Sequence, residues 1–528
     1  MNLFKSKRKL RNKLIFRDEE ITRDVQDISN YSLEEIKEKV MATLGNSPDL
    51  KAVEGKSFHH ELCFFYLESM IDHKSMKEGT SKLLSQDIKP IENENAVQAW
   101  SDACKDAFGG VACKQFTSTE EIYQEIVNGS VVMVINQLDQ AISINMENAE
   151  KRSVTEPTTQ TVIRGPKDGF IESLSTNMSL IRKRLRSKNL HFESFRIGKT
   201  TQTTVYIGFI KGIANEATIQ EVRDRLNRIN VSGVFESGNV EELISDKSFT
   251  FFPLALNTER PDTVAANLID GKIVILTDGT PFALIVPAVL VNFFTSSEDY
   301  YQNFFLGSFL RFIRYLSFMI ALLTPSVYIS LLTFHQELVP TSLLISVIAQ
   351  REGVPFPAVV EVLIMEITFE ILREAGVRMP KVVGQMVSIV GALVIGQAAA
   401  EAGIISNIMI IVVAITAIAN FVAPNYTFAS ASRLIRFILI FASSVLGFYG
   451  VIIMLVLMVA HLSALRSFGV PYLAPVAPFI IEDQKDVLFR FPFWALTKRP
   501  TYLKTEQDRK VFSESNPSPP PMEGGDAK

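Results

Sequence analysis

Residues 382–400 read VVGQMVSIVGALVIGQAAA, residues 404–422 read IISNIMIIVVAITAIANFV, and residues 437–465 read FILIFASSVLGFYGVIIMLVLMVAHLSAL. From Val382 to Leu465 only Glu401, Arg433 and Arg436 carry charge, and they fall near the joints between these apolar runs. Crossing the hydrocarbon layer takes ~20 residues of helix, which each run supplies. A helix of that length in a soluble core would show a polar face, and these show none. The stretch therefore reads as a membrane domain, with the preceding residues as cargo attached to it.

The first run carries a finer signal. Gly384, Ser388, Ala392, Gly396 and Ala400 recur every four residues and form one small-residue ridge on a helix. In lipid no hydrophobic effect drives helices together, so close backbone approach along such a ridge does. Gln385 and Gln397 on this helix could bond across the contact or face a polar path. The next run follows the tight joint Glu401-Ala402-Gly403 and ends at Pro424-Asn425, and Arg433–Leu465 reads as one long final segment.

Upstream, Tyr315–Gln336 has no charge and reads as the first crossing, with Arg311 and Arg314 at its start and Pro325 inside it. Positive residues at that end place the N-terminal domain on the cytoplasmic side. Residues 341–375 fit less simply. A short apolar run meets Arg351-Glu352-Gly353-Val354-Pro355-Phe356-Pro357, and the helix that follows carries Glu361, Glu366, Glu370, Arg373 and Glu374. At ~100° per residue Glu366, Glu370 and Glu374 share one stripe, and a carboxylate facing hydrocarbon costs ~3 kcal/mol. The stripe must face water, another subunit or a cavity. It belongs either to an interfacial helix with intersubunit salt bridges or, with Glu361, Gln385 and Gln397, to an ion pathway.

Most of the charge lies before residue 270. Across 528 residues the net charge is −4, which gives no bulk support for nucleic-acid binding. The basic start (Lys5 to Lys13) lacks the apolar run of a secretory signal and reads as a cytoplasmic tail touching anionic lipid. Cys63, Cys104 and Cys113 have no metal-ligand spacing and read as reduced thiols. The sequence shows no metal site, cofactor site, nucleophile constellation or other enzyme motif, and Arg196–Thr201 lacks the leading glycine of a phosphate loop. The run Leu180–Lys188, with Arg182, Lys183, Arg184, Arg186 and Lys188, reads as a solvated face or a membrane-surface contact.

Within this region a pattern recurs. Ile126-Val127-Asn128-Gly129, a strand at Val131–Ile135 and Ala141-Ile142 parallel Leu268-Ile269-Asp270-Gly271, Ile273–Thr277 and Ala283-Leu284, so that Gly129 and Gly271 stand 142 residues apart. Each copy reads as helix end, glycine C-cap, strand, turn and strand. The fold predicted is an α/β N-terminal region of two related subdomains, then an all-α polytopic transmembrane domain and a short tail. Its boundaries are a basic tail at 1–30, subdomains at 31–150 and 151–295, the membrane domain at 305–465, and a C-terminal tail at 466–528 disordered from about 500.

Several motifs carry a resemblance: Gly165-Pro166, Gly169-Phe170, Glu172, Asn177 and Leu180-Ile181-Arg182; Asn257-Thr258-Glu259-Arg260-Pro261-Asp262; Asp278-Gly279-Thr280-Pro281; and Val354-Pro355-Phe356-Pro357. Glu370, Arg373-Glu374-Ala375-Gly376, Met379-Pro380 and Gly391–Gly396 extend it. As a set they resemble the A subunits of the GerA-type nutrient germination receptors of endospore-forming bacteria. The resemblance implies a polytopic protein of the spore inner membrane with a cytosolic N-terminal domain. It also implies assembly with a permease-like B subunit and a lipoprotein C subunit, an oligomeric channel, and ion release triggered by nutrient. From the residues themselves a secondary transporter and a membrane scaffold for a cytosolic domain remain the alternatives.

Overall fold

The computed structural model describes residues 27–57, 60–86, 95–136, 138–146, 156–157, 159–378 and 396–510. The first half holds two sheets. The first is built from β1 (Leu50–Ser57), β2 (His60–Leu67), β3 (Cys113–Phe116), β4 (Ser130–Ile135) and β5 (Ala141–Asn145), in the order β1-β2-β4-β5-β3. The second is built from β6 (Leu190–Ile197), β7 (Thr203–Ile210), β8 (Leu256–Thr258), β9 (Ile273–Thr277) and β10 (Ala283–Val286), in the order β6-β7-β9-β10-β8. The two orders are the same, and every pairing in both sheets is antiparallel.

The helices repeat as well. The first copy has α1 (Leu33–Thr43), α2 (His73–Leu84), α3 (Asn95–Ala107) and α4 (Thr119–Val127). The second has α5 (Leu174–Arg184), α6 (Glu216–Arg228), α7 (Ser237–Ile244) and α8 (Pro261–Ile269). Leu33 and Leu174 are 141 residues apart, Leu50 and Leu190 are 140, and Thr119 and Pro261 are 142. The duplication inferred from one glycine joint thus extends to the whole subdomain. Gly129 (φ 91°) and Gly271 (φ 93°) occupy the left-handed conformation that a glycine after a helix end adopts without strain. The central strands β4 and β9 are buried along their whole length because helices cover both faces of each sheet, which explains their unbroken apolar sequence. The Asp278-Gly279 pair does begin the β9–β10 hairpin, but its loop runs from 278 to 282.

The subdomains meet through one buried and one half-exposed ion pair. Arg182 forms a two-pronged pair with Asp49 at 2.8 and 2.9 Å. Lys188 reaches Glu120 at 2.7 Å, and Arg184 bonds Asp168 within its own subdomain. The basic run is therefore mostly an internal clamp, with Lys183 and Arg186 the members left exposed. Burial pushes the Cys63 thiol up to about 12 and raises Cys104 further, and all three cysteines are free.

After the short α9 (Glu298–Tyr301), the helical domain begins with α10 (Phe304–Thr333), which starts eleven residues before the predicted Tyr315. Arg311 and Arg314 therefore sit inside the helix rather than ahead of it. They converge on Asp299 at 3.4 and 2.7 Å, and Arg311 also meets Asp486 at 2.8 Å. Next come α11 (Thr341–Arg351), α12 (Ala358–Arg378), α13 (Asn407–Phe421), α14 (Tyr426–Leu446) and α15 (Phe448–Ala464). The single final segment predicted from Arg433 to Leu465 is two helices. Gly447 breaks it at φ 57°, ψ −139°, a conformation closed to residues with a Cβ. Phe304–Thr333 and Tyr426–Leu446 are long and apolar enough to cross a membrane, and Asn407–Phe421 and Phe448–Ala464 are shorter apolar helices.

The C-terminal segment packs back onto the fold. Within it, β11 (Arg466–Ser467) pairs with β12 (Val470–Pro471), and the chain then returns to the second subdomain. There the buried Arg499 donates to the Ile269 carbonyl at 2.7 Å, Glu506 N donates to Ile213 O at 3.1 Å, and Lys510 pairs with Asp270 at 2.5 Å. Most of the stretch predicted to be disordered, residues 511–528, lies outside the described residues.

Candidate functional site

The acidic stripe on α12 faces α14. Glu366 lies 3.0 Å from Arg436, with both side chains at most 5 % exposed, and one turn on Glu370 meets Arg433 at 2.5 Å. The spacing is what lets this happen: glutamates four apart on α12 oppose arginines three apart on α14, one helical turn in each case. Glu361, fully buried, accepts from the backbone N–H and hydroxyl of Ser406 at the start of α13, and Arg351 approaches its other oxygen at 3.5 Å. Glu374 pairs with Arg378 on the exposed end of α12. Arg373 lies over the rings of Phe421 and Tyr426 at 5.6 and 5.5 Å. Glu366 and Glu370 thus face arginines of the same chain, while Glu374 is exposed. The two pairs form a ladder inside one chain.

A cleft of about 1200 Å³ opens beside the lower end of the ladder, where Arg373, Asn420 and Tyr426 line it together with Gly396, Gln397 and Ala400. Gln397 is exposed and donates to Glu401 at 2.9 Å. Gly396 is buried, and a Cβ there would meet Ile410 at an ordinary 3.7 Å, so alanine would fit. Gly384, Gln385, Ser388 and Ala392 lie outside the described residues, and with them most of the small-residue ridge. Arg433 and Arg436 are the partners that sequence reasoning passed over as joint charges. Their signal is present, since two arginines one turn apart in an apolar helix need two anions in reach.

Most of the remaining motif residues brace the second subdomain internally and tie it to Tyr301 of α9. Arg260 pairs with Asp262 at 2.6 Å and donates to Pro166 O at 3.0 Å, while Tyr301 donates to Asp262 at 2.7 Å. Gly165, at φ 140°, lies under the Tyr301 ring, where a Cβ would come within 2.7 Å. Pro261 opens α8, and the Glu259 carbonyl accepts from Phe170 N. Asp278 and Gly279 donate their N–H groups to Thr204 and Glu172. Pro355 and Pro357 lie in the link before α12, whose first turn bonds to the Pro357 carbonyl.

Among known proteins, the chain is 46 % identical to spore germination protein KA of Bacillus subtilis over 91 % of its length and 88 % of that protein's. It is 43 % identical to spore germination protein GerLA of Bacillus cereus (74 % and 79 %) and 35 % identical to GerQA of the same species (92 % and 94 %). The crystal structure of the N-terminal domain of the A subunit of the Bacillus megaterium spore germinant receptor GerK3 matches 51 % of this chain and 99 % of that one, at 29 % identity and a TM-score of 0.40. These relatives are spore germination proteins, and the apolar outer faces of α10, α14 and α15 mark this chain as a membrane protein. The match to the Bacillus/Clostridium GerA spore germination proteins runs from residue 38 to residue 502, and the chain belongs to that family.

Proposed function

We propose that the chain is the A subunit of a nutrient germination receptor, an oligomeric multi-pass component of the spore inner membrane that couples nutrient detection to ion release. On this reading it assembles with a permease-like B subunit and a lipoprotein C subunit, and its N-terminal domain is cytosolic. The observation that supports a channel role is the ladder of Glu366–Arg436 and Glu370–Arg433 within apolar helices. Charges at membrane depth are expensive and are kept where a pathway or relay uses them. Paired, they present little net charge to an ion. Separated, they offer a polar lining to a path beside α12.

The direct test is potassium release from spores carrying Glu370→Gln with Arg433→Gln, which removes both members and strands neither. Ion leak without nutrient is expected while assembly, read by recovery of the B subunit, stays intact. Nutrient-dependent release with unchanged timing in the assembled double variant would remove the ladder from the pathway and leave a scaffold. Glu366→Gln alone is less informative, because an unpaired buried Arg436 costs about 3–5 kcal/mol and lowers assembly by itself.

A further inference from the structure

The second subdomain carries an apolar feature on the side where α15 ends. In the loop Asp246–Phe252, Phe249 is 92 % exposed and Phe251 is 52 % exposed. The loop is not loose. Asp246 pairs with Arg225 at 2.9 Å and accepts from Phe468 N at 2.7 Å. Between the two exposed rings, the Thr250 hydroxyl meets Nε2 of His461, in the last turn of α15, at 3.1 Å. Phe252 turns inward against Phe428 and Tyr472. Two phenylalanines are thus held out from a fixed loop at the end of an apolar helix.

The height of that end follows from α15 itself. Its 17 residues rise ~26 Å, close to the ~30 Å of hydrocarbon in a bilayer. The outward face of α15 is apolar up to Val456 and Val459, which are 62 % and 52 % exposed, and the loop continues it. Lys247 is exposed beside the rings. Nearer the start of α10 the tail exposes Phe489 and Trp494 and is fixed there by Ser308 and Arg490, which share two hydrogen bonds. Aromatic rings with a neighbouring cation suit the boundary between acyl chains and anionic headgroups.

We propose that the loop 246–252 is a membrane-surface contact of the N-terminal domain: Phe249 and Phe251 insert at the headgroup boundary and Lys247 meets lipid phosphate. The partner is the bilayer, and the inference rests on the reading of α15 as a crossing. The test uses the full-length chain in nanodiscs with Cys113→Ser. Cys63 and Cys104 are buried and escape labelling. A fluorophore is attached at Phe249→Cys, at Ile453→Cys on the exposed middle of α15, or at Lys77→Cys on the exposed face of α2. Lipids carry a quencher either near the headgroup or deep in the acyl chain. Several-fold stronger quenching at position 249 than at 77 by the shallow quencher is expected, with position 453 quenched by the deep one. Quenching at 249 no greater than at 77, with 453 quenched, overturns the loop contact and leaves the crossing intact. Absence of quenching at 453 overturns the crossing and the contact with it.

Discussion

Asp49 and Arg182 come from different subdomains and are 3 % and 2 % exposed. A buried pair contributes little net stability, but loss of one member leaves a desolvated charge. Asp49→Ala is expected to cost about 3–5 kcal/mol, whereas Asp49→Leu with Arg182→Met should lose far less; thermal unfolding of the purified chain distinguishes them. Glu241 on α7 gives a pH signature. Burial, with Glu236 beside it, raises its carboxyl to about 7 against a backbone hydrogen bond from Ala255. The folded state therefore holds a proton that the unfolded state releases near 4.5, so stability falls as pH rises between 4.5 and 7. Glu241→Gln should flatten that slope, a difference on the order of 1–3 kcal/mol, visible as a Tm-against-pH profile. Neither residue was legible from the chain alone. Arg182 sat in a run whose density suggested a solvated face, and its anion lies 133 positions away.

At the scale of the element, sequence spoke most clearly where chemistry is local. The glycine joints at 129 and 271 and the apolar runs each declare themselves within a few residues. The failures were long-range or conformational. Uncharged sequence on both sides of Gly447 conceals a helix break that depends on one residue's φ. Gly447→Ala would place a Cβ 2.8 Å from Phe334 in a backbone conformation closed to alanine. A cost of about 1–3 kcal/mol is expected, with α14 and α15 losing their antiparallel packing. The check is faster hydrogen exchange through 440–455 than in Gly396→Ala, where the added methyl meets only ordinary contact. The acidic stripe was similarly visible as a stripe, but its counter-charges on α14 were not, because no local rule links Glu366 to Arg436 across 70 positions.

The path of the whole chain brings the tail back to the N-terminal region. α10 leaves the second subdomain and ends at Phe334 and His335, and His335 lies 5.1 Å from Phe448, beyond the Gly447 break. α14 begins beside that subdomain, with Asn425 bonded to Asn257 at 2.8 Å, and climbs to the same far end. α15 then returns, so that His461 reaches Thr250 and the tail closes over Ile269 and Asp270. The tail therefore packs against the second subdomain, at the end of the helices where α10 and α14 begin. In sealed right-side-out vesicles a membrane-impermeant thiol reagent should spare both Lys498→Cys and Lys77→Cys and should label both once the membrane is permeabilised. Labelling of Lys498→Cys alone in intact vesicles would separate the tail from the domain it contacts. The same contacts predict a mechanical consequence. Truncation after Thr497 removes Arg499 and Lys510 from Ile269 and Asp270, and limited proteolysis of the second subdomain should then accelerate while the first subdomain keeps its wild-type rate.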